Sequence, residues 1–277
     1  MNHKRLTFAM RLTRAVALFW QSREMSAAKQ QQKGQATEGN RGAVIGGKTM
    51  DSFRDMIAEV AHRCGPPGTI VHREKSMVIL PGFFRPTKQW DLLIEHRGRL
   101  LAALELKSLC GPSFGNNANN RCEEALGSGY DLRKSQSEGM LGDGAAPFIG
   151  YFILIEDAEK SRKPVKISSP HFPTDAVFQD ASYQERMRLL CERMIQQQLY
   201  TAAAVLATPT RSVTGEHGDL SKLTSFRRHL TQLASALSAE SDLASADGMV
   251  EEAQMSFGDR SKQSWDSFDD YPAENVS

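Results

Sequence analysis

Leu12, Val16, Phe19 and Trp20 recur at i, i+4, i+7 and i+8, the period of an amphipathic helix over residues 10–30. That helix runs into the polar segment SAAKQQQKGQATEGN and then the glycine-rich GNRGAVIGGK. A second helix is predicted from about Met50 to His62, capped by Asp51 and stopped by CGPPG. The pattern then changes to strands. SMVILPGF reads as one strand, and WDLLIEHRGRLLAALELKS as two joined at His96–Gly98. FIGYFILI, residues 148–155, is an apolar run too short for a lone helix and predicts a buried strand. Residues 119–132 read as helical in part, and helical periods return over 181–205 and 220–237. Beyond Asp242 the chain is polar, acidic and without a period, which predicts a disordered tail. No internal repeat is found. The order of elements predicts an α/β fold, with a helical N-terminal arm and a C-terminal helical part.

Length and charge refine this picture. The chain has 277 residues, room for one large domain or two small ones. The formal net charge of +1 averages three dissimilar segments. Residues 1–50 hold nine Lys/Arg against two acids, residues 51–236 hold 23 against 21, and residues 237–277 hold two against ten. The division expected is a basic arm with a Gly-rich loop (1–50), a balanced body (51–241) and an acidic tail (242–277). Cys64, Cys110, Cys122 and Cys191 form no CxxC pair and accompany no secretory signal, so they read as buried thiols. Arg11 and Arg14 interrupt the apolar residues 6–20, far short of the roughly 18–20 needed to span a membrane. A soluble cytoplasmic protein is expected.

The chemistry concentrates between Asp91 and Lys107. Asp91 opens the first hairpin strand, while Glu105 and Lys107 lie two residues apart on the second and so share a face. Carboxylates hold a hard divalent ion through oxygen. Such an ion polarises a phosphate and acidifies a bound water, and a lysine beside it orients that water or offsets developing charge. Glu105 lies inside LLAALELKSL, where a buried charge demands a compensating partner. The pattern Asp-x(n)-Glu-x-Lys across a hairpin is that of the PD-(D/E)xK nucleases. Taken alone it also matches many solvated hairpins.

The segment KQWDLLIEHRGRLLAALELKSLCGPSFGNNANNRCEEALGSGYDL adds to this. It resembles the XhoI family of type II restriction endonucleases, and the resemblance extends upstream through AAKQ and GNRGAVIGGK, over roughly residues 12–135. The long GPSFGNNxNNRxEEALG block makes it specific. The resemblance implies a restriction-endonuclease-like mixed central sheet flanked by helices and Mg²⁺-dependent double-strand cleavage of a short palindrome, CTCGAG for the family prototype. It implies Asp91 as the first acidic position, Glu105 as the second metal ligand and Lys107 as the motif lysine. The usual Pro-Asp start reads Trp90–Asp91 here, which leaves the ligand intact. It also implies a homodimer on DNA, with a cognate DNA methyltransferase as functional partner. The helical arm or residues 181–237, where Met187, Leu190, Met194 and Ile195 form an apolar stripe, are the candidate interface, against the plainer reading of the stripe as core.

Further candidates surround this core. Asp51, Asp55 and Glu59 fall at i, i+4 and i+8 on one helix face; Glu59 is the candidate for an additional metal ligand, against the plain reading of a solvated face. Glu123 and Glu124 either reach the metal or load the first turn of a helix. Asn116, Asn117, Asn119, Asn120 and Arg121, in an expected loop, suit base-edge readout, since Asn pairs with adenine and Arg with guanine in the major groove. Arg41 and Lys48, in the glycine-rich loop, suit phosphate contacts. Two rival readings stand beside the nuclease. GAVIGGKT, Gly42 to Thr49, satisfies the P-loop expression, but KQQQKGQATEGNR before it cannot be the buried strand a P-loop follows. A non-catalytic DNA-binding protein accounts for the basic arm and the Asn-rich segment, but not for Glu105 and Lys107 on one face.

Overall fold

The computed structural model describes residues 6–32, 49–142, 144–212 and 214–246. Arg41, Lys48, the P-loop-like Gly42–Thr49 stretch up to Lys48, and the tail from 247 onward lie outside the described residues.

Helix α1 (Phe8–Gln32) and helix α2 (Asp51–Cys64) come first. Short strands β1 (Ile70–His72), β2 (Ile79–Pro81) and β3 (Thr87–Gln89) follow, then β4 (Leu92–His96), β5 (Arg99–Leu109) and helix α3 (Phe114–Ser137). The chain continues through β6 (Phe148–Asp157), the one-turn α4 (Glu159–Arg162), α5 (Tyr183–Gln196), β7 (Ala202–Pro209), β8 (Gly218–Asp219) and α6 (Phe226–Ala246). Six strands form one mixed sheet in the order β1-β4-β5-β6-β7-β8, while β2 and β3 form a separate antiparallel hairpin. Within the sheet β5, β6 and β7 run parallel, and the remaining pairs are antiparallel.

Each strand of the parallel core is covered on both faces, so alternate residues enter two different cores. Leu92, Leu104, Leu106, Phe152, Leu154, Ala204 and Leu206 pack beneath α1, α2 and α6, where Phe53 and Phe226 meet Phe152. Leu93, Ala103, Ile149, Tyr151, Ile153, Ala203 and Val205 face α3, α5 and the β2–β3 hairpin. The β4–β5 turn is the two-residue loop expected at His96–Gly98: Arg97 and Gly98 both adopt positive φ (50° and 78°), which matches the twist of the flanking strands.

The structure corrects several sequence expectations. Residues 181–205 are not one helix, because α5 ends at Gln196 and 202–209 form strand β7. AAAVLA has the local preference of a helix, but it fills a central strand whose small side chains let helices approach from both faces. Residues 114–121 are not a loop. They are the first two turns of α3, held by Phe114, Ala118, Ala125, Gly129 and Leu132 on the buried side. Asp51 makes no capping bond; Met50 occupies the cap, and Asp51 instead accepts from Arg54. SMVILPGF contributes only Ile79–Pro81 as strand. Met187, Leu190 and Met194 are buried, so the apolar stripe is core, the plainer of its two readings. Helix α6 begins at Phe226 and passes through residue 242 to Ala246.

Candidate active site

Strand β4 begins at Leu92, opposite Leu104, while β5 continues to Leu109. The edge of β5 beyond Leu104 is therefore open on that side, and its amide at Leu106 needs another acceptor. Asp91, the residue just before β4, supplies it: Oδ2 accepts from Leu106 N at 2.8 Å. Its other oxygen, Oδ1, accepts from Arg54 Nη2 at 3.0 Å. Arg54 stands on α2 and also bonds Asp51, so one guanidinium ties the helix to the mouth of the strand pair.

Glu105 and Lys107 project from β5 toward the α3 layer, on the same face as Ala103. Glu105 is only 4% exposed, and both its oxygens meet ammonium groups. Lys107 pairs with Oε1, and Lys88 Nζ lies 2.7 Å from Oε2. Lys88 arrives from the separate hairpin, on β3, with its ammonium 4.6 Å over the ring of buried Trp90. Two lysines on one buried carboxylate satisfy the requirement that such a charge be paired.

The electrostatics divide the two acids. Burial, with the nearby charge of Glu105, pushes the Asp91 carboxyl above its ordinary range; Lys107, the Leu106 amide and Arg54 offset this only in part. Burial acts on Glu105 in the same sense, but Lys107 and Lys88 outweigh it and hold that carboxyl below its ordinary range. Burial would lower Lys107, yet Glu105 and Asp91 raise it above its ordinary value. At neutral pH Glu105 is therefore an anion and Lys107 a cation. Among the described residues no three His, Cys, Asp or Glu converge on one point. Asp91 and Glu105 are the two carboxylates that could hold a hard divalent ion through oxygen.

The remaining candidates fall at different places. Glu59 is engaged by Arg11 from α1, and Asp55 by Arg73, so each acid of the predicted α2 stripe has a cationic partner. Asn116, Asn119 and Asn120 are exposed on the first turns of α3, whose start follows the end of β5 closely. Asn117 is half-buried, and Asn119 donates to Glu123 Oε1 at 2.7 Å. Arg121 links α3 to the active strand, donating to Ser108 O at 3.3 Å and pairing with Glu124. Two residues of this site escaped the sequence reading. Lys88 opens the segment that carries the family resemblance, but its contact with Glu105 is set only by the docking of its hairpin. Arg54 lies in the α2 segment where the acids alone drew notice.

The mixed sheet gathers two acids and two lysines where a strand pair opens. The comparisons with known proteins identify the family. The family model "Restriction endonuclease XhoI" matches residues 29–222, and the chain belongs to that family. The type II restriction enzyme XhoI of Xanthomonas vasicola is 41% identical over 214 residues, covering 77% of this chain and 84% of the relative. The type II restriction enzyme BstVI of Geobacillus stearothermophilus is 45% identical over 173 residues, covering 61% of this chain and 77% of the relative. The type II restriction enzyme AbrI of Azospirillum brasilense is 43% identical over 158 residues, covering 57% and 71%. No solved structure matches the chain. Among the described residues no helix is long and apolar enough to cross a membrane.

Proposed function

We propose that this chain is a site-specific deoxyribonuclease of the PD-(D/E)xK type, cutting both strands of a short palindrome with Mg²⁺. The observation that carries the reading is the meeting of Asp91, Glu105 and Lys107 where β4 leaves β5, with Glu105 anionic and Lys107 cationic. CTCGAG is the target implied by the resemblance to the family prototype. In this reading Asp91 and Glu105 would hold the Mg²⁺, while Glu59, paired with Arg11, does not join them as a third carboxylate. The ion, when bound, polarises a phosphoryl oxygen and acidifies a water. Lys107 presents its ammonium to the attacking water or to the charge that grows on the phosphate. Arg54 and the Leu106 amide fix the two oxygens of Asp91, so the carboxylate keeps one orientation. Lys88 stands on the far oxygen of Glu105 and fixes that side chain from outside the sheet.

DNA recognition is assigned to the start of α3. A helix end bearing Asn116, Asn117, Asn119, Asn120 and Arg121 suits insertion in the major groove, where such side chains read base edges. Arg41 and Lys48 are assigned to phosphates. A palindrome presents two equivalent half-sites, which a two-fold homodimer matches with two copies of the site. A cognate methyltransferase would protect the same sequence in the cytoplasm of a prokaryotic cell. The body of the enzyme would include the first helix, which packs into the core, and run to Ala246, where the last helix ends. It would thus not be confined to 51–241 between a separate arm of 1–50 and a tail from 242. Plasmid DNA carrying one CTCGAG tests the reading. Full-length linear product with Mg²⁺ and none with chelator is expected; a plasmid left intact with Mg²⁺ and Mn²⁺ contradicts it.

A further inference from the structure

The β2–β3 hairpin stands outside the main sheet and carries a tip, Gly82 to Pro86, closed by Gly82 N donating to Pro86 O at 3.3 Å. The tip shows two phenylalanines to solvent, Phe83 at 43% and Phe84 at 63% exposure. Exposed rings of this kind are commonplace on a disordered loop, but this one is held rigidly. Asp131, a residue of α3 only 3% exposed, accepts from the amides of Phe83 and Phe84 at 2.9 Å each and from Arg85 Nε at 2.7 Å. A Cβ on Gly82 would fall 2.7 Å from both Asp131 Oδ2 and Arg85 O, so only glycine admits this closure. The rings are ordered in turn. Phe84 stacks on the exposed Tyr130 with centroids 5.6 Å apart, and Phe83 meets Phe84 edge-on at 4.9 Å. A buried charge, a glycine and a helix face are all committed to presenting two apolar rings to water. Exposed apolar surface built in this way marks a contact site.

The same hairpin identifies the partner. Lys88, on its other strand, reaches Glu105 in the active site. Phe84 precedes Lys88 by four residues, so at no more than about 3.3 Å per residue their backbones lie within about 13 Å, some four base-pair steps of 3.4 Å. The tip is therefore within reach of DNA whose scissile phosphate rests at Glu105 and Lys107. Arg85, paired with Asp131, and Lys134, paired with Glu138 and 5.1 Å over the Phe83 ring, flank the aromatics with donors that adjoining phosphates could share.

Resting on the nuclease reading, we propose that the Phe83–Phe84 tip is a base-stacking wedge, with Phe84 entering the duplex at a base step within about four pairs of the cut. Aromatic rings inserted in this way unstack a step and hold the duplex bent, and a ring stacked on a base contributes affinity with little regard to sequence.

The test uses the full chain and duplexes containing CTCGAG with 2-aminopurine at successive positions, in Ca²⁺ to allow binding. Wild type should raise 2-aminopurine emission at one step on each side of the centre and leave other positions unchanged. Phe84→Ala should abolish that rise and weaken DNA binding about ten- to a hundredfold. Phe84→Trp should restore both. The ring is exposed, so a thermal melt of Phe84→Ala within a few degrees of wild type certifies the fold. Unchanged emission at every position with wild type, or affinity within twofold for Phe84→Ala, overturns the proposal. So does a loss of oligomer mass in Phe84→Ala by light scattering without any emission change, which would make the tip a contact between copies. If wild type itself neither binds nor cuts any duplex, the nuclease reading fails first and takes this inference with it. Cleavage by wild type alongside a silent tip removes the wedge alone.

Discussion

Lys88 Nζ sits 2.7 Å from Glu105 Oε2, a contact between a hairpin outside the main sheet and the middle of strand β5. With Lys107 on the other oxygen, Glu105 faces two ammonium groups in a site assigned to a divalent cation.

Lys88 should therefore compete electrostatically with the metal. An ammonium and a divalent ion about 4 Å apart repel by about 2 kcal/mol even in bulk water, and by more at a protein surface. Lys88→Met is expected to tighten Ca²⁺ binding by about tenfold or more, measured by calorimetry without DNA, since about 1.4 kcal/mol is one decade. Lys88→Arg should keep the wild-type affinity. Equal affinities for wild type and Lys88→Met would show that Lys88 does not face the ion.

The start of α3 should divide readout from general attraction. Arg121→Ala or Asn120→Ala is expected to cost about 1–3 kcal/mol at the cognate site and to relax discrimination at particular base pairs. Lys48→Ala should weaken cognate and random duplexes alike and lower the salt slope by about one. Competition binding across single-base variants of the site separates the two patterns. Uniform losses for the Asn variants would move the reading head elsewhere.

Much of this site was legible because a strand has a period of two. Glu105 and Lys107 share a face by spacing alone, and the sequence pattern has Asp91 open the strand that in the structure begins one residue later, at Leu92. What escaped depends on tertiary contacts. Alanines in 202–207 prefer a helix locally and are overruled by burial on both faces. Asn116 to Asn120 prefer a turn, yet Phe114, Ala118 and Ala125 anchor them in a helix. Their i, i+4, i+11 spacing was visible in the sequence, but small residues made the stripe faint. Lys88 and Arg54 could not be placed, because no local pattern says which distant carboxylate a cation will meet.

Close helix packing on Tyr200 yields a stability prediction. A Cβ at Gly129 would lie 2.6 Å from the Tyr200 ring, which is buried and fixed by its hydroxyl donating to Ala125 O at 2.9 Å. Gly129→Ala gains about 1 kcal/mol of helix propensity but overpacks a ring that cannot retreat, at a cost of about 1–3 kcal/mol. Net destabilisation by about 1 kcal/mol is expected in urea unfolding. A stabilised variant would contradict the packing described.

His229 makes stability depend on pH. It is buried against Phe148 and Phe226, and neither ring nitrogen has a hydrogen-bond partner among the described residues. Burial depresses its pKa from 6.5 to about 3. The unfolded chain thus takes up a proton below about pH 6.5 while the folded chain resists it, so this contribution to stability is lost as pH falls toward 3. At pH 5 the loss is about 2 kcal/mol. His229→Leu should flatten that part of the pH profile in denaturant titrations at pH 7 and pH 5, and an unchanged slope would show His229 charged or solvated in the fold.

The most direct test pairs cleavage with binding in one variant. Lys107→Ala removes the ammonium assigned to the reacting phosphate and leaves Lys88 to neutralise Glu105. Plasmid cleavage in Mg²⁺ should fall by about a hundred- to a thousandfold, while affinity for the CTCGAG duplex in Ca²⁺ stays within a fewfold of wild type. Cleavage at near wild-type rate by Lys107→Ala would contradict the assignment of the reaction to the Asp91–Glu105–Lys107 site.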